Sequence, residues 1–192
     1  MACSGNYFFE KCKNIIINAF KKVFLIIYVC YNMKRGFIMK EIVEKLIKLN
    51  KTISTMESCT GGYVANGITN IPGASSVFMF GAITYSNDYK IKMGVSSEDI
   101  EEYSVYSAIV ANDMSKTICS YTNSNYGIGI TGKLNKSDPN NLSGDDNRVY
   151  ISIYSKDEDL FYNEEIIVMY SDRCRCKEMV FEKVVEMLHK II

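Results

Sequence analysis

One histidine in 192 residues, His189 near the carboxyl end, is a poor supply for the usual proton chemistry of a hydrolase. A serine–histidine–aspartate triad needs an imidazole beside its nucleophile, and a lone histidine in a terminal helical pattern reads as solvated or dipole-facing. Prolines number only two, which leaves little room for proline-rich linkers and favours one compact unit. Neither charge is in excess: 22 basic and 22 acidic residues cancel, so no nucleic-acid partner is expected. The balance is uneven, however. Six basic residues against Glu10 give residues 1–39 a net +5, and the remainder must then carry −5. Seven cysteines form an odd set without framework spacing, which favours free thiols in a reducing, cytoplasmic compartment. Cys174-Arg175-Cys176 is the one close pair, and without a second pair or a nearby histidine it is weak ground for zinc. No metal and no other cofactor is expected.

Long apolar runs are also missing. Residues 14–20 and 23–33 are apolar-rich, but Lys21-Lys22 separates them, and a spanning helix wants ~20 predominantly apolar residues. Each lysine at mid-bilayer would cost roughly 2.5–3.5 kcal/mol, so no stable membrane span is expected. Basic residues precede the run 23–29 as in a secretory signal, yet no small-x-small cleavage site follows. Regular patterning begins at Met39. Residues 1–38 therefore read as an extension outside the core, either a start-site artefact or a disordered or apolar leader, and 39–192 as the domain.

Within 39–192 helices and strands alternate. Ile42, Val43, Leu46, Ile47 and Leu49 recur at helical spacing. A strand is expected at 52–56, a short helix at 63–68 and a largely buried strand at 77–85. Ser86 or Asn87, Ser96 or Ser97, and Ser107 are placed to cap helices. Residues 126–131 read as a buried strand whose glycines admit backbone or ligand, and 132–147 as a polar loop too long for a mere connector. Strands at 148–154 and 160–169 pair across a turn, and 173–192 closes the chain as a helix. The sum is an α/β chain: a three-layer α/β/α domain with a mixed sheet, with ligands expected where loops converge at strand ends.

The most informative stretch is Glu57-Ser58-Cys59-Thr60-Gly61-Gly62, between a strand and a helix. Free N–H groups and the positive end of a helix dipole meet at such a point, which suits a substrate phosphate or the oxyanion formed when serine attacks a carbonyl. Spacing equally allows a plainer role, with Ser58 or Thr60 capping the helix and the glycines easing a turn.

This block, with Pro72-Gly73-Ala74-Ser75, Gly81, Thr84-Tyr85-Ser86-Asn87 followed by Lys90, Gly94-Val95, and Ile130-Thr131-Gly132, resembles the CinA carboxy-terminal domain family, which includes stand-alone nicotinamide mononucleotide deamidases. The likeness runs in order from about residue 40 to the end; residues 1–39 have no counterpart, and the larger amino-terminal domain of full-length CinA proteins has no room. It implies an amidohydrolase of the pyridine nucleotide cycle of NAD salvage, converting the carboxamide of the mononucleotide to a carboxylate with release of ammonia. It further implies Ser58 as nucleophile, Lys90 as its base and Tyr85 orienting either, with Cys59, Thr60, Gly61, Gly62, Thr131, Gly132 and Arg173 as substrate- or oxyanion-binding residues. The expected partners are a small nucleotide substrate and further copies of the chain. The chemistry is coherent: with no second histidine available, a lysine is the natural base, provided burial or a neighbouring cation lowers its pKa. Cys59, intrinsically the better nucleophile, is the rival that spacing leaves open. Arg173 has a plain alternative as a solvated residue in the first turn of the last helix.

The sequence departs from the family pattern after Gly132. Where glycines usually follow, this chain has Lys133 and Leu134, then Lys136-Ser137-Asp138-Pro139. Bulk and charge replace backbone that could approach a ligand closely, and Lys133 or Lys136 becomes a candidate to replace lost amides. Two readings remain open on the sequence: an active amidohydrolase, and a catalytically impaired nucleotide-binding or competence-associated member of the family.

Overall fold

A computed structural model of the chain describes Ile17, Lys22, Val23 and residues 36–192. The chain divides into two units, Met1–Phe37 and Ile38–Ile192. In the first, Ile17, Lys22, Val23, Gly36 and Phe37 are helical; the reading of 1–38 as an extension lies otherwise outside the described residues. Among the described residues no helix is long and apolar enough to cross a membrane.

The second unit is a five-stranded sheet with helices on both faces. Residues 38–49 form helix α1. Then come β1 (Ile53–Glu57), α2 (Tyr63–Thr69), a 3-10 turn (Ala74–Ser76), β2 (Gly81–Ile83), α3 (Asn87–Lys92), α4 (Ser97–Tyr103), α5 (Ala108–Thr122), β3 (Tyr126–Gly132), β4 (Arg148–Ser155), β5 (Leu160–Ile167) and α6 (Arg173–Ile191). The strand order is β2-β1-β3-β4-β5. β2, β1 and β3 run parallel, while β4 and β5 join antiparallel as a hairpin. The sheet is therefore mixed.

Alternation along the strands feeds two cores. Ile53, Ile128, Ile130, Val149, Ile151 and Ile153 pack with Leu46 of α1, Val64 and Ile68 of α2, and Val180, Val184 and Leu188 of α6. On the other face Met56 packs with Val110, Met114 and Ile118 of α5. Gly127 and Gly129 of β3 face α5, where an added Cβ would lie 2.0 Å from Ser115 O and 2.2 Å from Ala111 O. Those glycines admit helix backbone, not ligand.

The serine caps form at Ser86, Ser96 and Ser107, each accepting from the N–H three residues on. The expected buried strand at 77–85 shrinks to the three-residue edge strand β2, mostly exposed. Val77 is buried, but its carbonyl accepts from Ile53 N at the start of β1, ahead of the strand proper. Only β1 flanks β2 in the sheet, so its apolar residues have an open side.

Candidate active site

The carboxyl ends of β1, β2 and β3 meet at one edge, as parallel strands require of a ligand site. β1 delivers Ser58 just past its last residue, and Ser58 N donates to Ile130 O of β3 at 3.0 Å. β2 leads through Thr84 and Tyr85 to α3, whose second turn turns Lys90 inward. The side chain is 1% exposed, although α3 is only six residues long. Lys90 Nζ lies 3.1 Å from Ser58 Oγ and donates to Thr84 O at 2.9 Å. No carboxylate pairs with it among the described residues. Burial lowers its pKa from 10.5 to about 8, against smaller opposing pulls from Cys59 and then Asp138. An appreciable fraction of the amine is thus free near neutrality. The same burial pushes the Cys59 thiol up to about 12, so the rival nucleophile stays protonated and weak.

The glycine turn behaves differently from the expectation. Glu57, fully buried, bends its carboxylate over the start of α2 and accepts from Gly62 N at 3.0 Å, Val64 N at 3.1 Å and Ala65 N at 2.8 Å. Gly61 N donates to Ser58 O at 3.1 Å. The helix start does hold an anion, but it is the chain's own. Gly61 and Gly62 are therefore not available as oxyanion or phosphate donors. Neither Ser58 nor Thr60 caps the helix; Gly62, left-handed, occupies that position without a side-chain bond. The sequence carries a signal for this: a glutamate five residues before the cap position Gly62, where no Ser, Thr, Asp or Asn stands at the helix head. Among the described residues the N–H groups of Cys59 and Thr60 have no backbone acceptor, and Thr60 Oγ1 is buried without a partner.

Two further expectations are corrected. Tyr85 is 63% exposed and hydrogen-bonds to neither Ser58 nor Lys90; its hydroxyl accepts from Arg173 Nη2 at 2.9 Å. Thr131 is fully buried and its hydroxyl donates to Val105 O at 2.8 Å, tying β3 to the segment before α5 instead of facing ligand.

A cavity of about 610 Å³ opens over Ser58 and Cys59. Tyr85, Arg173 and Gly132 line it, and residues 133–141 supply much of one wall. Gly132 has φ 149°, and an added Cβ there would sit 2.4 Å from Arg148 O, so glycine is required where β3 enters this loop. Lys133 is not a free cation. It is buried, bonded to Asp146 Oδ1 at 3.1 Å and lies over the Tyr106 ring at 5.2 Å. Lys136 lines the cavity and is exposed. The residues that sequence reading missed are Glu57, Tyr106 and Asp138.

Fold and site together define an α/β/α domain with a serine and a buried lysine at the sheet's carboxyl edge. A family model, the CinA C-terminal domain, matches residues 36–192, and the chain belongs to that family. A competence-damage inducible protein of Alkaliphilus oremlandii is 47% identical over 96 residues, 49% of this chain and 23% of the relative. One from Clostridium botulinum (strain Langeland) is 42% identical over 125 residues, 64% of this chain and 31% of that protein. The chain thus spans less than a third of those relatives' lengths. Among solved structures, competence/damage inducible protein CihA of Agrobacterium tumefaciens superposes with a TM-score of 0.68 at 25% identity, covering 79% of this chain and 93% of that one. A competence or damage-inducible protein of Enterobacter asburiae shares the fold, with a TM-score of 0.73 at 20% identity over 82% of this chain and 97% of that one.

Proposed function

We propose that the chain hydrolyses the carboxamide of nicotinamide mononucleotide, giving nicotinate mononucleotide and ammonia. One observation carries the reading: a lysine 1% exposed, without a carboxylate partner among the described residues, lies 3.1 Å from the hydroxyl of a serine that lines a cavity. The free amine of Lys90 takes the Ser58 proton as Oγ attacks the carboxamide carbon. The oxyanion that forms is met by the N–H groups of Cys59 and Thr60, the amides the helix start leaves unused. The Lys90 ammonium then protonates the leaving nitrogen, the C–N bond breaks, and ammonia departs from an ester on Ser58. Lys90, neutral again, takes a proton from water as it attacks the ester, and returns that proton to Ser58 as the carboxylate leaves. Arg173, hydrogen-bonded to Tyr85 in the cavity lining, holds the phosphate.

Ammonia release from the mononucleotide by the full chain tests this. Ser58→Ala should lower the rate by roughly 10³-fold or more, and Cys59→Ala should keep most of it. The reverse pattern would overturn the assignment. A second reading, nucleotide binding without turnover, draws on the wall built by residues 133–141, where this chain leaves the family pattern. Mononucleotide bound tightly with no ammonia released would favour it.

A further inference from the structure

The wall that departs from the family pattern carries a carboxylate held rigidly by neutral donors and in no ion pair; the Lys133 ammonium, itself paired with Asp146, is the smallest influence on it. Asp138 Oδ2 accepts from the Tyr106 hydroxyl at 2.5 Å and from Asn141 Nδ2 at 2.9 Å, and Oδ1 accepts from Asn140 N at 2.9 Å. Asn141 is itself fixed by Asn87 Nδ2 at 2.9 Å, from the first turn of α3. Every one of these donors is neutral. They hold the carboxyl in its ionised form, with the Tyr106 hydrogen bond the largest influence.

The other acids of the same loop are neutralised: Asp145 pairs with Arg148 at 2.6 Å and Asp146 with Lys133 at 3.1 Å. Asp138 pairs with no cation among the described residues. Lys136 lines the same wall and makes no ion pair with it. A carboxylate has about four acceptor sites and no donor, and three of the four are filled here. The cavity lining thus includes both a fixed negative charge, Asp138, and the Arg173 guanidinium. A ligand matching both is anionic at one end and cationic, or rich in donors, nearer the other.

We propose that Asp138 is a specificity-determining residue that selects a substrate whose ring nitrogen is quaternary and positively charged, over an otherwise identical substrate with a neutral ring. The inference rests on the proposed function, because nicotinamide mononucleotide has a cationic pyridinium and an anionic phosphate. Tyr106, Asn141 and Asn87 act as positioning residues for the carboxylate.

The test compares nicotinamide mononucleotide with its reduced dihydropyridine form. The two share carboxamide, ribose and phosphate, and differ in ring charge. Affinities are measured by calorimetry in Ser58→Ala, which blocks turnover, and ammonia release is measured in parallel on the unaltered chain. The oxidised form should bind roughly fivefold more tightly, the scale of a partly solvated charge pair. Asp138→Asn should bring the two to parity, and Asp138→Glu should restore part of the preference. Glu101→Gln, which alters an exposed carboxylate of α4 outside the cavity lining, should leave the ratio unchanged.

If Asp138→Asn leaves the ratio intact, the proposal is overturned, while ammonia release keeps the hydrolase reading alive. Equal weakening of both forms would assign Asp138 to the ribose hydroxyls and also overturn it. A ring-charge preference that depends on Asp138 in a chain that releases no ammonia would support the proposal and end the hydrolase reading. Failure of either form to bind would end both.

Discussion

Glu57 and Lys90 are both ionisable, both at most 1% exposed, and both within reach of the turn around Ser58, yet their surroundings differ in kind. Glu57 receives three backbone N–H groups at the start of α2. Its charge is matched to a helix dipole and its lone pairs are occupied. Lys90 has one carbonyl and one hydroxyl, and no ion pair among the described residues, only the weaker pull of Asp138. A buried group with its hydrogen bonds complete is structural; one left short of partners keeps capacity for chemistry. The contrast also explains why the glycine turn is not itself the anion site.

The comparison breaks most visibly if Glu57 is removed. Glu57→Ala leaves three helix N–H groups without their acceptor in a buried setting, and should cost roughly 3–5 kcal/mol, lowering Tm by on the order of 10 °C. A thermal denaturation curve unchanged by this substitution would show that the helix start is satisfied by other means.

Lys90→Met should act in the opposite direction on stability while abolishing ammonia release. Holding an amine at about 8 instead of 10.5 costs roughly 3 kcal/mol at neutral pH, and the lost hydrogen bonds offset part of the relief. A net gain of about 1 kcal/mol, or 2–4 °C in Tm, is expected. The folded-state value lies below the unfolded one, so the unfolded chain binds the extra proton between about 8 and 10.5. The penalty is therefore full below pH 8 and fades as pH rises through that window. The advantage of Lys90→Met over the natural chain should shrink accordingly between pH 8 and 10; a constant difference would rule out Lys90 as the group responsible.

Catalysis should follow the same titration. Only the free amine accepts the Ser58 proton, so kcat/KM for ammonia release should fall about tenfold per pH unit below about 8 and level off above it. A flat profile from pH 6 to 9 would remove the lysine base. The smallest effect belongs to Tyr85→Phe, which takes the hydroxyl from Arg173 without touching Ser58 or Lys90. KM should rise about threefold with kcat unchanged; a large loss of kcat would return Tyr85 to the chemistry.

Much of the layered fold could be read locally. Helix caps at Ser86, Ser96 and Ser107 depend on a hydroxyl and an amide three residues apart, and the β4–β5 hairpin on alternation across a short turn. The candidate pair Ser58 and Lys90 was legible only because the two blocks containing them resemble a family. Nothing in local spacing says that a lysine on a six-residue helix points inward. Tyr85 and Arg173 lie 88 positions apart, and Tyr106 and Asp138 lie 32 apart. Such contacts have no periodic signature.

What the chain specified unaided was the order of helices and strands and the bringing of a serine-containing turn to a strand end, because periodicity and capping act over a few residues. Which amides were spoken for, whether Lys90 lost its water, and which carboxylate stayed outside an ion pair were decided only when distant segments packed together. Desolvation and hydrogen-bond satisfaction are properties of the assembled surroundings, not of any one stretch of chain.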